Sequence, residues 1–362
     1  MREDAALRAE FGATVGRFLD ARSPVAVSRD SLGGPGEPLW RALAEELGLP
    51  GLLLDERAGG QGGSIADLGA ALIEAGRVGL PASLLVTAGL AVPLLARSGA
   101  EPGRGLLAEI VAGRAVVALA LHEDSAGVAL DAPGTEVEPG DGECRISGRK
   151  RFVAAGEAAT HFIVLARTAL VLVERGADGL LAEPMRALDH GRGLAILTMD
   201  QTRGQVLAEG ARARELAERA FTEGALLTAA DALGIGERCL GLAVDYAKTR
   251  TQFGRAIGSF QAIKHKLADM YAETATARSA VERALDQAAA GEPGWELTAS
   301  MAKARAGDAV LHVVREAIHV HGGIGFTWEH ELSHHFRRAL TGFALFGTPA
   351  HHRDIVARAL GV

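Results

Sequence analysis

The sequence predicts an α+β fold, mainly α. An N-terminal helical domain precedes a small middle β-barrel or sheet domain and a C-terminal four-helix bundle. Two observations predict it. Apolar residues recur at helical spacing up to about Gly113 and again from about Ala211 onward, whereas the segments between are short and either alternate or run continuously apolar, as strands do. A chain of 362 residues is also too long for one simple core, and the change of period places domains at 1–113, 114–210 and 211–362. The chain carries no internal repeat and no low-complexity linker.

The first segment, MREDAALRAEFG, is charged and amphipathic and has no apolar secretory stretch, so a cytoplasmic protein is expected. Gly/Pro turns such as Gly33 to Pro38 break the helical pattern that follows. Strand-like segments lie at Ala115–Leu121, Cys144–Val153, His161–Ala166 and Leu170–Glu174, the last two pairing as a hairpin across Arg167-Thr168. Gly193–Met199 and Gln205–Ala208 add two further strands. The run from Leu216 to Thr249 is apolar on most of its surface, which places it inside a bundle or an oligomer.

A net charge of −7 and a pI near 6.0 argue against a nucleic-acid surface. No apolar run is long enough to span a bilayer, so no membrane partner is expected. Cys144 and Cys239 are isolated thiols without metal-ligand spacing, so no metal is expected, and a cytosolic protein keeps both reduced. Neither Gly322-Gly323-x-Gly325 nor Gly234-x-Gly236 follows a strand in a βαβ unit, which argues against a nicotinamide site of the Rossmann type.

The most informative stretch runs from Tyr246 to Ala272. It reads as the end of one helix, a tight connection and the start of another. Arg250 and Phe253 close the first helix, Gly254 caps it, and Ser259 N-caps the second. Phe260, Ile263, Leu267 and Met270 then form the stripe of a packed helix. Arg250, an aromatic ring and Gln261 thus gather at one corner. Two readings fit: a site for an anionic, aromatic ligand, with guanidinium for a pyrophosphate, or an ordinary helical hairpin with a surface arginine.

The wording YAKTRTQFGRAIGSFQAIKHKLADM closely resembles the third-domain motif of the acyl-CoA dehydrogenase family. HVHGGIGFTWEHEL, His319 to Leu332, is similar to that family's Gln-x-x-Gly-Gly-x-Gly-Phe motif, and the segment from Leu39 to Arg77 is similar to its N-terminal domain. The resemblance covers nearly the whole chain in the family's order. It implies the acyl-CoA dehydrogenase fold, an acyl-CoA substrate and an FAD cofactor held between the β domain of one subunit and the helical domain of its neighbour. Carried over, Arg250 meets the FAD pyrophosphate, Phe253 lies near the adenine end, Gln261 hydrogen-bonds the dinucleotide, and Gly322 and Gly323 let the backbone approach it. His319 stands in place of the family's Gln. For the glycines the alternative is a plain helix C-cap.

Several positions depart from the family. The reaction needs a carboxylate to take the α-proton while a β-hydride passes to the flavin. One family position for that Glu is occupied here by Phe346, within Leu345-Phe346-Gly347-Thr348; the other falls on Gly224. Glu223 is adjacent but rotated by about 100° on a helix. Asp231 lies two turns on, an acid in an apolar run, either a displaced base or a helix–helix contact. In the β domain the family's flavin-contacting hydroxyls are replaced at His122-Glu123-Asp124 and Phe152-Val153-Ala154, and the loop after Ser125-Ala126-Gly127 looks curtailed; Lys150 and Phe152 remain. What the chain offers a neighbour's FAD is kept; what it needs for its own is missing. This resembles the subunit without the base in actinobacterial heteromeric enzymes of steroid degradation, which pair two different chains as α2β2 tetramers. Two other readings are a self-sufficient homomeric dehydrogenase, or related flavin oxidase or monooxygenase, with a relocated acid, and a flavin-free scaffold of the same fold.

Overall fold

The computed structural model describes residues 2–22, 37–123, 130, 133–140 and 143–362. Gly33–Gly36 of the expected turn, Asp124 and the Ser125-Ala126-Gly127 loop lie outside the described residues. In chain order the described residues run through N-terminal helices, a middle sheet and C-terminal helices, as the periodicity predicts. The N-terminal helices are α1 (Arg2–Arg22), α2 (Glu37–Leu47), α3 (Ile65–Val78), α4 (Val92–Ser98) and α5 (Glu101–Val111). The strands are β1 (Val117–Ala120), β2 (Glu136–Pro139), β3 (Cys144–Val153), β4 (His161–Leu165), β5 (Ala169–Glu174), β6 (Leu180–Pro184) and β7 (Ala195–Glu209). Then come α6 (Gly210–Thr249), the short strands β8 (Thr251–Gln252) and β9 (Arg255–Ala256), and α7 (Gln261–Ala290), α8 (Trp295–His321), α9 (Glu331–Ala344) and α10 (Pro349–Ala359).

Packing groups the described residues into two compact units. One collects those of Met1–Arg29, Ile65–Leu80 and Ala225–Val362; the other collects those of Asp30–Ser64 and Pro81–Gly224. The first unit is helical. Its core includes Cys239, Ala243, Ala247, Met270, Val310, Val313, Val314 and Ile318, all buried. The small residues of α3 and α6 let their backbones cross closely. A Cβ on Gly76 would fall 2.0 Å from the Asp231 carbonyl oxygen, and one on Gly234 would fall 1.8 Å from that of Ile73. Gly234 therefore serves a helix crossing, which explains a glycine pair with no strand before it.

In the second unit the strand order is β1-β4-β5-β7-β3-β2, with β6 also on β7. β1 and β4 run parallel; the other pairings in this sheet are antiparallel. The β4–β5 hairpin forms as expected, with Leu165 opposite Leu170. The two strands expected at Gly193–Met199 and Gln205–Ala208 are one strand, β7, of 15 residues. Its polar middle reads as a turn in sequence. It is instead an irregularity within the strand, where Gln201 adopts a φ of 48° and the register against β3 shifts. β2 and β6, whose exposed polar residues hide any apolar alternation, are additions to the sequence reading.

Candidate functional site

The corner after α6 is built differently from the sequence reading. α6 ends at Thr249, and the Arg250 N–H donates to the Tyr246 carbonyl at 2.8 Å. Gly254 does not cap this helix. With Phe253 it forms the two-residue turn of the β8–β9 hairpin, where Thr251 pairs with Ala256 and Gln252 with Arg255. Phe253 (φ 51°) and Gly254 (φ 76°) are both left-handed, the combination that suits the twist of a tight hairpin. Ser259 is likewise not the N-cap of α7. It closes a 3₁₀ turn, Ile257–Ser259, and Phe260 takes the cap position without a side-chain cap bond. Gln261 is the first residue of α7 and is exposed. Arg250 is exposed as well, and Phe253 is 89% exposed, its ring edge-on to Phe260 at 6.1 Å. Of the expected stripe, Met270 is fully buried, while Phe260, Ile263 and Leu267 are only partly covered.

α8 ends beside this corner. The Tyr246 ring stacks on His321 with centroids 4.3 Å apart, and His321 meets His330 edge-on at 4.8 Å. Gly322 follows directly. It is the C-cap of α8, its N–H bonded to the carbonyls of His319 and Ile318, so the plain capping role holds. Its φ of 66° and ψ of −143° belong to a region open essentially to glycine alone. A Cβ on Gly322 or Gly323 would meet nothing within 4 Å, so the backbone here is open to approach. His319 is exposed, with Nδ1 3.1 Å from Glu316, which also pairs with Lys266. Burial raises the Glu316 pKa, but Lys266 and His319 outweigh it and hold the carboxyl below its ordinary value. The turn carries exposed apolar side chains, with Phe326 68% and Ile324 50% exposed.

Both positions expected for a base lack a carboxylate. Phe346 is buried at 6% exposure in a left-handed conformation (φ 53°), and its carbonyl accepts from His352 Nε2–H at 2.8 Å. Burial pushes His352 down to about 4, so the ring is neutral near pH 7. Gly224 is buried in α6. The nearby acids are both held by arginine. Glu223 accepts from Arg97 at 2.8 and 2.7 Å and from Arg219 at 3.1 Å. Asp231 accepts from Arg338 at 2.7 Å, with side-chain exposures of 1% and 2%, and Arg338 also reaches the Gly79 carbonyl.

In the sheet unit, Glu123 bonds Lys150 at 2.7 Å and takes the N–H groups of Gly134 and Thr135 together with the Thr135 hydroxyl. Burial raises its pKa, but Lys150, Gly134 and Thr135 overcome this and hold it at about 2. Lys150, fully buried, thus anchors the strand-end framework. His122 stands edge-on to Phe221 at 6.2 Å, and burial, with Lys150 near, lowers it to about 4. Phe152, 41% exposed, is strained at φ 55° with Arg151 over its ring. Among the described residues, no His, Cys, Asp or Glu group could hold a metal ion, and no helix is long and apolar enough to cross a membrane.

An open diglycine turn and an exposed arginine corner thus sit on helices that follow a small mixed sheet. Residues 7–114 match the acyl-CoA dehydrogenase N-terminal domain and residues 214–361 the acyl-CoA dehydrogenase C-terminal domain. The acyl-CoA dehydrogenase IpdE2 of Mycobacterium tuberculosis is 35% identical over 325 residues, 90% of this chain and 86% of that protein. The chain belongs to the acyl-CoA dehydrogenase family, oxidoreductases acting on acyl-CoA. Among solved structures, a Tcur3481-Tcur3483 steroid ACAD variant aligns with a TM-score of 0.89 and 28% identity over 99% of this chain and 98% of that one. The ChsE4-ChsE5 complex from Mycobacterium tuberculosis aligns with a TM-score of 0.87 and 25% identity over 98% of this chain and 97% of that one.

The sequence reading missed the Tyr246–His321–His330 stack, the Lys266–Glu316 support of His319, and the arginines that hold Glu223 and Asp231. The last join residues 126 and 107 apart in the chain, beyond any local spacing signal. His321 did carry a signal, since it directly precedes the glycine pair.

Proposed function

We propose that this chain is the base-free subunit of a heteromeric, flavin-dependent acyl-CoA dehydrogenase that carries out α,β-dehydrogenation of an acyl-CoA thioester. One observation carries the reading: the two positions that the resemblance assigns to the base hold a buried phenylalanine, Phe346, and Gly224, and the neighbouring acids Glu223 and Asp231 are engaged by arginines. A second acyl-CoA dehydrogenase-like chain supplies the Glu that takes the α-proton. Likeness to a Tcur3481-Tcur3483 steroid ACAD and to a ChsE4-ChsE5 complex supports a second, different chain in the assembly, and the former supports a steroid-type acyl group; the reading takes the assembly as an α2β2 tetramer of the cytoplasm.

The exposed corner fits FAD seated mainly on the partner. Arg250 is exposed and can reach a pyrophosphate, and among the described residues nothing lies within 4 Å of where a Cβ on Gly322 or Gly323 would sit. Arg250 would present a planar fork to phosphate oxygens, Gly322 and Gly323 would let the backbone approach the dinucleotide, Gln261 and His319 would add polar contacts, and Phe253 would cover the adenine end. When bound, the flavin supplies the acceptor for the β-hydride. Exclusion of water there falls to Phe253, Ile324 and Phe326, apolar and exposed in the free chain.

The test is co-expression with the candidate partner. The chain alone is expected to be colourless and inactive, and the assembly to be yellow, active and tetrameric. A yellow, active homomer would overturn the reading; a colourless assembly with every partner would point to a scaffold.

A further inference from the structure

We infer that the ring stack of Tyr246, His321 and His330 is the positioning element of the corner just described, fixing the span between the Arg250 side chain and the Gly322-Gly323 backbone so that both meet one diphosphate. The inference rests on the reading above that this corner binds a partner-held flavin. The stack joins the end of α6, the end of α8 and the start of α9, with centroid separations of 4.3 and 4.8 Å. Tyr246 and Arg250 are four residues apart, and a backbone bond of 2.8 Å links them, so the ring and the guanidinium rise from the same helical row. His321 and Gly322 are neighbours in the chain. A shift of one ring against the next therefore changes the distance between the two ligand-facing groups.

Each imidazole is also pinned to the backbone. His321 Nδ1–H donates to the Ala317 carbonyl at 2.8 Å, which leaves Nε2 as the acceptor of a neutral ring. His330 Nδ1 accepts from the Leu332 N–H at 3.2 Å, where it caps α9, so its proton sits on Nε2. Rings whose tautomer and rotation are both fixed make a rigid spacer, and rigidity is what a two-point anion contact requires. Burial, with His330 beside it, keeps His321 below its ordinary pKa.

The experiment titrates FAD into the deflavinated assembly of this chain with its partner, following flavin fluorescence, with melting temperature and tetramer content as controls. Tyr246→Phe keeps a ring in the stack and should bind FAD as the parent does, whereas His321→Phe keeps a ring but loses the bond to the Ala317 carbonyl and should fall between the parent and the leucine variants. Tyr246→Leu and His321→Leu should assemble and melt normally yet bind about tenfold more weakly, the effect of small misplacement rather than of a lost contact. His330→Asn keeps an acceptor for the cap and removes only the edge-on ring; it should weaken binding about threefold and decides the matter should the leucine variants fail to assemble. Parent affinity in assembled leucine variants, or in His330→Asn, would overturn the inference. Arg250→Ala separates the two levels. If it too binds FAD normally, the corner is not a flavin site at all; if it alone is weak, only the stack's role is wrong.

Discussion

Arg250 concentrates the binding argument in one side chain. It lies one residue beyond α6, exposed, where neither the helix nor the hairpin absorbs its charge. Removing one member of a charge-assisted pair costs a few kcal/mol, about two orders of magnitude in affinity. Arg250→Ala should therefore give an assembly of normal size that loses flavin on gel filtration, and Arg250→Lys should recover only part of the occupancy, because an ammonium has no planar fork. Full flavin absorbance per tetramer in Arg250→Ala would count against the assignment. Asp231 is the opposite case. It is an acid whose environment makes it structural, since Arg338 meets it at 2.7 Å in a nearly dry setting. Asp231→Asn should leave turnover per folded, flavin-loaded tetramer intact while destabilising the chain by about 3–5 kcal/mol, the usual effect of stranding a buried charge. Adding Arg338→Met should return most of that stability. A folded Asp231→Asn assembly without turnover would instead make Asp231 the base.

At the level of elements, the crossing of α3 and α6 is the tightest feature of the helical unit. Gly234→Ala forces a Cβ against the backbone oxygen of Ile73, which no rotamer change relieves. Gly241, seven residues on in the same helix, has nothing within 4 Å of a Cβ. Gly234→Ala should lower the melting temperature sharply or abolish folding, whereas Gly241→Ala should raise stability by about 0.5–1 kcal/mol through helix propensity. Equal effects at the two positions would contradict the crossing. These elements also mark what was legible in the sequence. The change from helical to strand period, the β4–β5 hairpin and the apolar length of α6 are local patterns, and they were readable. β7 was split in two because its polar middle, Asp200 to Gly204, follows turn chemistry while its backbone pairing continues on both sides. Gly254 was read as a cap because a glycine after a helix suits either a cap or a hairpin turn; the choice fell to Phe253, which adopts a positive φ. The candidate site residues are named through their motif, whereas the contacts around them are not legible in sequence. Rings 75 residues apart, such as Tyr246 and His321, meet only once the bundle is packed.

Across the whole molecule, buried imidazoles set the response to acid. Burial lowers His122 to about 4, His334 to about 3 and His352 to about 4, all from an ordinary value of 6.5. For each, the unfolded chain takes up a proton near pH 6.5 while the folded chain resists it. Stability is thus fully present above pH 6.5, begins to fall below it, and continues to fall until the folded ring also titrates. The slope approaches about 1.4 kcal/mol per pH unit for each histidine. Glu123 and Glu331, held at about 2 against an ordinary 4.5, act in the same direction at lower pH. In Glu331 burial works upward, but His335 and Arg238 overcome it. Their stabilisation is present above pH 4.5 and is lost as pH falls toward 2. Within this set the contributions accumulate; Glu74 and Glu157, whose carboxyls burial raises above the ordinary value, work against them at the acidic end. Urea denaturation should give a midpoint that is flat from pH 7 to 8 and drops steadily below pH 6.5. His352→Gln, which can still donate to the Phe346 carbonyl, should reduce the slope between pH 6 and pH 4.5 by about one histidine's share. A midpoint that held constant or rose on acidification would mean that these rings are solvated and charged rather than buried.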